Sequence, residues 1–242
     1  LFNGQRNGRA FGTAAEYIAL AETLVTPLPA KLSFAEGATL GIPAMTAWCC
    51  LFGDGPIVGK TVLVTGGAGA VGNYAVQLAK WGGARVIATV SSAKKGEQAR
   101  RAGADLVVNY RQEDVVAKTL AFTGHRGVDR VVDVDFGGNL ATTLKLMAVN
   151  SAIAVYATNG NRTPVVPIRE LMDKCIALRP LVLFALPPAL LAAAQADISK
   201  WLAAGDRLHT IAAQYPLSET AQAHMAVEKG DKLGTVIVDC AR

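Results

Sequence analysis

Short apolar, β-branched runs alternate with segments of helical periodicity through the middle of the chain. The runs predict strands and the segments between them predict helices. This alternation is typical of a parallel sheet covered by helices, an α/β doubly wound (Rossmann) fold. The predicted strands are Thr61–Thr65, Arg85–Val90, Asp105–Asn109, Val128–Val134, Ser151–Ala157 and Leu181–Ala185.

Helix boundaries are marked by capping and turn residues. Ser33 is a candidate N-cap for a helix that starts at Phe34 and that Pro43 would kink. Between the first two strands, apolar residues recur at helical spacing from Val71 to Ala79, and Gly82 ends the helix. The other predicted helices are Ala93–Ala102, Glu113–Phe122, Asn139–Ala148, Ala189–Ala204 and Ser218–Glu228.

The two ends of the chain do not continue this pattern. Residues 1–32 indicate strands and turns of another unit, and two further strands are predicted at Thr210–Gln214 and Thr235–Asp239. The chain opens at Leu1 without a methionine or a leader, so we expect part of the N-terminus to be missing.

Composition narrows the class of protein. With 51% hydrophobic and 18% charged residues the chain is globular, because a disordered chain lacks the apolar surface to fold. The most apolar stretch, 181–196, contains two prolines and is shorter than the ~20 residues of a membrane-spanning helix. The net charge is +5, but Lys and Arg are scattered, which makes nucleic acid an unlikely partner. Four cysteines without C-x-x-C spacing fit a reducing cytoplasm.

A glycine-rich motif follows the first strand directly and opens the next helix. Its spacing, Gly67-x-Gly69-x-x-Gly72, is that of dinucleotide-binding loops. Gly67 would permit the tight turn, Gly69 the approach of a pyrophosphate, and Gly72 close contact between helix and strand. This context predicts a nicotinamide-dependent oxidoreductase.

The end of the second strand indicates which nicotinamide cofactor is bound. An NAD site carries Asp or Glu there to bind the ribose 2′-hydroxyl. Residues 88–95 instead contain hydroxyls and the pair Lys94 and Lys95, which would attract a 2′-phosphate. NADPH is therefore predicted over NADH, although the two lysines could also simply begin a solvated helix.

Two other nucleotide-binding classes do not match. A short-chain reductase needs Tyr-x-x-x-Lys, and none of the five tyrosines has a lysine four residues later. A P-loop has Gly-Lys-Ser/Thr after its strand, whereas Gly59-Lys60-Thr61 precedes one.

Several blocks, in this order, resemble the medium-chain dehydrogenase/reductase superfamily, and within it the zinc-free NADPH:quinone oxidoreductase (zeta-crystallin-like) group. They are Gly12–Tyr17, Gly41–Trp48, Thr65–Gly72, Ala102–Asp105 and Asn109-Tyr110. The resemblance implies an NADP-binding Rossmann domain over residues 33–206. Residues 1–32 and 207–242 would then be parts of a mostly β, GroES-like catalytic domain.

The resemblance also implies roles for individual residues. Gly66, Ala70 and Val71 complete the phosphate loop. Ser91, Lys95 and Tyr110 match positions around the adenosine 2′-phosphate, with Lys232 as a further contact to the cofactor phosphate. At the nicotinamide end the matching residues are Thr46, Thr158 and Asn159.

Zinc is not expected in this group. Zinc alcohol dehydrogenases have a cysteine ligand where this chain has Ile42, and Cys49 and Cys50 fit buried thiols within a helix. The histidines His125, His209 and His224 are dispersed, with no metal-ligand spacing.

One departure from the family pattern concerns the turn after the fourth strand. There the family has Asp-x-x-Gly, and the additional Asp135 makes this turn more acidic. The sequence leaves open whether this affects the nicotinamide pocket.

Three functions stay open. The first is hydride transfer from NADPH to a quinone, and the second is reduction of α,β-unsaturated aldehydes or ketones. The third is a non-catalytic NADPH-binding or nucleic-acid-binding protein. By analogy with the group, a homodimer is expected, and no catalytic acid or base stands out.

Overall fold

The computed structural model describes residues 12–240, and its centre is a six-stranded parallel sheet. The strand order β3-β2-β1-β4-β5-β6 reverses between β1 and β4, as in a Rossmann fold, so the predicted fold class is confirmed. The strands of this sheet are β1 Thr61–Val64, β2 Arg85–Val90, β3 Leu106–Asn109, β4 Val128–Asp133, β5 Met147–Val155 and β6 Ala177–Pro180.

Helices cover both faces of the sheet. Their bounds are α1 Phe34–Phe52, α2 Ala70–Trp81, α3 Ala93–Arg101, α4 Val115–Phe122, α5 Phe136–Leu146, α6 Ile168–Asp173, α7 Pro188–Ala203 and α8 Thr220–Glu228. Among the described residues, none of these helices combines the length and apolarity needed to cross a membrane.

The core lies in two layers because the side chains of a strand alternate between the faces of the sheet. Val62 and Val64 of β1 pack with buried residues of α1, α2 and α7, among them Trp201. Leu63, between them in sequence, belongs to the layer under α5, which contains Leu140. Since β1 is buried on both sides, its C-terminal end is held rigidly where the glycine-rich loop begins.

Helix α1 begins and bends as its sequence predicts. Ser33 and Glu36 form a capping box, in which each residue's side chain accepts a hydrogen bond from the other's backbone N–H. The helix is interrupted at Gly41, with φ −13° and ψ −107°, two residues before Pro43. Proline cannot donate a backbone hydrogen bond and crowds the preceding turn, so the bend lies just before it.

The C-terminal segment forms a small unit of β7 Ile211–Pro216, α8 and β8 Thr235–Asp239, with the two strands parallel. Residues 208–209 attach it to α2. Leu208 donates to Gln77 Oε1 (2.9 Å) and accepts from Asn73 Nδ2 (2.8 Å), while Tyr74 and His209 are hydrogen bonded at 2.8 Å. Both predicted C-terminal strands are present.

The sixth strand was predicted wrongly. The strand beside β5 is 177–180, and Leu183–Ala185 is a turn of 3-10 helix. The apolar run 181–186 reflects burial of Leu181 and Leu183 in the core, not pairing in the sheet. Helix α6, which precedes β6, was missed, because its six residues are too few for a clear helical period.

The start of β5 and the structure of residues 12–32 also differ from the predictions. Strand β5 starts at Met147, where the sequence indicated the end of a helix, because Met147 already pairs with Val128 before an irregularity in the ladder. Residues 12–32 contain a 3-10 turn at Glu22–Leu24 and no strand. Pro27 and Pro29 in this segment cannot donate to a sheet. The prediction for residues 1–11 lies outside the described part of the chain.

Candidate cofactor-binding site

The glycine-rich loop forms a tight turn at the C-terminal end of β1. Gly66 has φ +65°, Gly69 N–H donates to Gly66 O (2.9 Å), and Gly67 N–H donates to Thr89 O of β2 (3.0 Å). A Cβ at Gly67 would lie 2.7 Å from the Cβ of Ala88, and one at Gly72 would lie 2.2 Å from Gly66 O. Both positions therefore exclude any side chain for packing reasons alone.

Gly69 behaves differently. A Cβ there would meet only Gly66 O, at 3.2 Å, so the protein itself leaves nearly enough room for a side chain. Gly69 is also the N-cap of α2, and no side chain caps that end of the helix. The first N–H groups of α2 and its positive dipole end thus face the space beside the loop, as in sites that bind a pyrophosphate. Ala70 and Val71 form the first turn of this helix.

The end of the chain reaches the same loop. Gly69 forms a parallel β-bridge with Gly234, and Gly234 O accepts a hydrogen bond from Lys232 Nζ (2.9 Å). Burial lowers the pKa of Lys232, and the nearby charge of Lys95 lowers it further. Lys95 and Lys232, far apart in sequence, therefore lie near enough for their charges to interact, and Lys232 is bonded to the residue that bridges Gly69.

The predicted 2′-phosphate residues cluster at the adjoining ends of β2 and β3. Ser91 follows β2, and Lys95 lies in the first turn of α3, which Ser92 caps through its side chain. Tyr110 follows β3, is bonded through its N–H to Val90 O (3.0 Å), and has 53% of its surface exposed. No acidic residue occurs between Ala88 and Lys95.

A buried carboxylate lies beneath the loop, at the end of β4. Asp133 has no exposed surface, and its Oδ1 accepts from Thr65 Oγ1 (2.9 Å), Asn139 Nδ2 (2.7 Å) and Asp135 N (3.0 Å). Within the described chain its Oδ2 has no hydrogen-bond partner. This network fixes the ends of β1 and β4 against each other at the point where the strand order reverses.

The loop that follows β5, residues 157–161, packs on the start of α5. Phe136 N–H donates to Ala157 O (3.1 Å), Gly137 N–H donates to Thr158 Oγ1 (3.1 Å), and Gly160 N–H donates to Asp135 Oδ1 (2.9 Å). Asn159 is exposed at the tip of this loop. We refer to it as the 157–161 loop.

Thr46 is the one predicted residue that the structure does not join to the others. It lies in the second half of α1, is 5% exposed, and shares no hydrogen bond with the glycine-rich loop among the described contacts. Helix α1 nevertheless packs against β4 and β5, whose C-terminal ends carry Asp133 and the 157–161 loop.

The cysteines and histidines do not assemble into a metal site. Between residues 12 and 240, no group of three or more His, Cys, Asp or Glu side chains is arranged to hold a metal ion. Cys49 and Cys50 are buried thiols in α1, as predicted from the helical period. Burial raises the pKa of Cys49 to about 11, which keeps this thiol protonated.

Sequence reasoning missed three contributors to this site. Gly234 gave no signal, because its role depends on a bridge to a residue far away in the chain. Thr65 and Asn139 could have been found as polar residues at the carboxyl ends of neighbouring strands, where ligands bind in such sheets. The glycine-rich motif follows β1 and opens α2, as its spacing predicts, and the binding roles of its residues and of Ser91, Lys95 and Tyr110 stay predictions.

The sheet order and the loop geometry together define a dinucleotide-binding protein of the Rossmann type. A sequence profile of zinc-binding dehydrogenases matches residues 70–195. The chain is 31% identical over 240 residues to the quinone oxidoreductase of Mus musculus, covering 94% of this chain and 69% of the mouse protein. It therefore belongs to the zinc-binding dehydrogenase family and to the quinone oxidoreductase group of the medium-chain dehydrogenase/reductase superfamily.

Other relatives show the spread of this family. A 2-methylene-furan-3-one reductase of Solanum lycopersicum is 45% identical over 108 residues, 44% of this chain and 28% of that protein. The crystal structure of an NAD-dependent alcohol dehydrogenase superposes with a TM-score of 0.85 at 28% identity, covering 94% of this chain and 65% of the other. The Escherichia coli quinone oxidoreductase complexed with NADPH gives a TM-score of 0.79 at 26% identity, covering 88% and 68%. The chain spans about two thirds of the length of the mouse quinone oxidoreductase and of these two solved structures.

Proposed function

We propose that this protein is an NADPH-dependent oxidoreductase that transfers a hydride to a quinone. The choice of cofactor rests on the lack of a carboxylate between Ala88 and Lys95, at a strand end where Lys95 lies near the charge of Lys232. The quinone oxidoreductase relatives support the choice of substrate.

The charges at the end of β2 discriminate between the two nicotinamide cofactors. A carboxylate there would bond the 2′-hydroxyl of NADH and repel a 2′-phosphate. In this protein the corresponding positions offer the hydroxyl of Ser91, the ammonium groups of Lys95 and Lys232, and the phenol of Tyr110. Charge-assisted hydrogen bonds to phosphate are about twice as strong as neutral ones, so NADPH gains more than NADH.

The rest of the site fits a dinucleotide. Gly66, Gly67, Gly69, Ala70, Val71 and Gly72 would hold the pyrophosphate through backbone N–H groups and the start of α2. Thr46, Thr158 and Asn159 would border the nicotinamide end. When bound, NADPH supplies the hydride, and the protein orients it against the acceptor and excludes water.

Two features of the chain agree with a quinone as acceptor and with catalysis without zinc. The carboxylates of Asp133 and Asp135 near this end are engaged in hydrogen bonds within the protein, and a quinone needs no acid or base from the protein because water can protonate its reduced oxygens. Ile42 also stands where zinc alcohol dehydrogenases have a cysteine ligand.

The cofactor preference is tested by titrating NADPH and NADH against wild-type protein and the variants Lys95→Ala and Lys232→Ala. We expect tighter binding of NADPH by the wild type and a loss of about tenfold for each variant, confined to NADPH. Lys145→Ala, an exposed lysine on α5, is the matched control and should change neither affinity. Equal or tighter binding of NADH by the wild type would refute the proposal.

An enone reductase is the second candidate, and the tomato relative favours it. Oxidation of NADPH in the presence of a panel of quinones and a panel of α,β-unsaturated ketones separates the two. Retained NADPH binding without turnover of either panel would instead support a non-catalytic binding protein.

A homodimer in a reducing, cytoplasmic environment completes the proposal. Strand β6 is the last strand of the described sheet, with β5 as its neighbour, so its outer edge is available to a second copy. The four cysteines are all free thiols, which agrees with a reducing compartment. Light scattering coupled to gel filtration reports the mass directly, and a monomer would contradict this part of the proposal.

A further inference from the structure

Asp135 occupies the N-cap position of α5 but does not cap its helix. An aspartate at this position ordinarily accepts a hydrogen bond from the second or third N–H of its own helix. Here no such bond forms, and the backbone of Asp135 has φ −152° and ψ 74°. By contrast, Asp114 at the same position of α4 accepts from Ala117 N–H at 3.0 Å. The carboxylate of Asp135 is therefore used for something else.

That carboxylate points across to the 157–161 loop. Its Oδ1 accepts a hydrogen bond from Gly160 N–H at 2.9 Å. Its own backbone N–H is fixed by the buried Asp133, through a 3.0 Å bond to Oδ1. Asp135 thus links a rigid, buried strand end to an exposed loop.

Two glycines make room for this arrangement. A Cβ at Gly138 would lie 2.4 Å from Asp135 Oδ2, and a Cβ at Gly160 would lie 2.3 Å from the same atom. Real Cβ atoms do not approach other atoms so closely. The carboxylate therefore lies between the first turn of α5 and the 157–161 loop, and a Cβ at either glycine would force it to move.

We propose that Asp135 is a positioning residue that holds the 157–161 loop, and with it Asn159, in place at the nicotinamide end of the site. Asn159 lies between Thr158, which is bonded to α5 through Gly137 N–H, and Gly160, which is bonded to Asp135. Without the carboxylate, one of these two flanking anchors is lost. This inference rests on the proposed binding of NADPH.

The first test compares two ligands that share the adenosine end. NADPH contains the nicotinamide, whereas adenosine 2′,5′-bisphosphate lacks it. A change at the 157–161 loop should therefore weaken the binding of NADPH and leave the affinity for adenosine 2′,5′-bisphosphate unchanged. For Asp135→Ala we expect NADPH to bind about tenfold more weakly, as for loss of a hydrogen bond to a charged group. Asp135→Asn keeps an oxygen acceptor without the charge and should lose less.

The control is Asp114→Ala, which removes an aspartate that caps its own helix. It should lower thermal stability and leave the ratio of the two affinities unchanged. If Asp135→Ala weakens both ligands equally, or leaves NADPH binding intact, Asp135 does not position the nicotinamide end.

A second test needs no cofactor. Gly160→Ala should lower the melting temperature because its Cβ collides with the Asp135 carboxylate, and it should cost much less in the Asp135→Ala background. Additive effects of the two substitutions would overturn the inferred contact. Failure of the wild type to bind NADPH would refute the proposed function and with it the cofactor-positioning role. The melting temperatures of the single and double variants would still report on the contact between Gly160 and Asp135.

Discussion

Two glycines of the glycine-rich loop should respond differently to substitution by alanine: Gly72 is required for stable folding, whereas Gly69 is required for binding of the cofactor. Gly72→Ala would place a Cβ 2.2 Å from Gly66 O, more than about 1 Å inside the 3.4 Å at which ordinary contact begins. Backbone must therefore move, since no flexible side chain is involved. Overpacking of this kind costs about 1–3 kcal/mol. For a domain of this size that corresponds to a fall of about 2–12 °C in melting temperature.

Gly69→Ala should have the opposite profile. Its Cβ meets only Gly66 O at 3.2 Å, a contact that a shift of a few tenths of an ångström relieves, so the melting temperature should change little. The added methyl group would, however, occupy the space beside the start of α2 where the pyrophosphate is proposed to bind. A loss of NADPH affinity of about tenfold or more is expected.

The assay is thermal unfolding without ligand, followed by fluorescence titration with NADPH, on both variants. The expected result is a less stable Gly72→Ala protein and a stable Gly69→Ala protein that binds NADPH poorly. A stable Gly72→Ala protein would refute the packing argument. A Gly69→Ala protein with wild-type affinity would refute the placement of the pyrophosphate.

Three further predictions concern groups outside the loop. In the folded protein, iodoacetamide at pH 8 should modify the exposed Cys175 but neither Cys49 nor Cys50, because burial raises the pKa values of these two thiols. Mass spectrometry of the product measures this, and labelling of Cys49 or Cys50 would contradict the prediction. Burial lowers the pKa of His209, so below about pH 6.5 the unfolded chain takes up a proton that the folded protein does not. The free energy of unfolding in urea should therefore fall between pH 7.5 and pH 5.5, and it should fall less in His209→Gln. An equal fall in both proteins would show that His209 does not cause this pH dependence. Arg130→Ala should lower the free energy of unfolding, measured in urea, by about 3 kcal/mol. The guanidinium of Arg130 is only 3% exposed and bonds the backbone carbonyl of Cys50 and the carboxylate of Asp54. A loss below about 1 kcal/mol would show that these bonds contribute little to stability.

The sequence was most informative where local chemistry decides the structure. The first five strands and the glycine-rich loop follow from periodicity and from glycines that no other residue can replace, such as Gly72. The N-cap role of Ser33 is likewise local, since its side chain accepts a hydrogen bond from Glu36 N–H three residues later. These features need no knowledge of distant parts of the chain.

Prediction from the sequence failed where contacts with residues far away in the chain determine the local structure. The apolar run at Leu181–Ala185 is indistinguishable from a strand until the core that buries it is known. Met147 belongs to β5 only because Val128 lies beside it. Aspartate is a common N-cap residue type, and only the position of Gly160 shows that Asp135 bonds elsewhere.

The bridge between Gly69 and Gly234 has a consequence for the order of events during synthesis. The glycine-rich loop leaves the ribosome long before Lys232 and Gly234 do, and the sheet around β1 can fold from residues already made. The part of the candidate cofactor site that Lys232 and Gly234 provide forms only when their segment packs against the glycine-rich loop. A nascent chain halted before residue 232 would contain the glycine-rich loop in a folded sheet but lack the ammonium group of Lys232. We therefore expect tight binding of the cofactor only after the segment with Lys232 and Gly234 has been made.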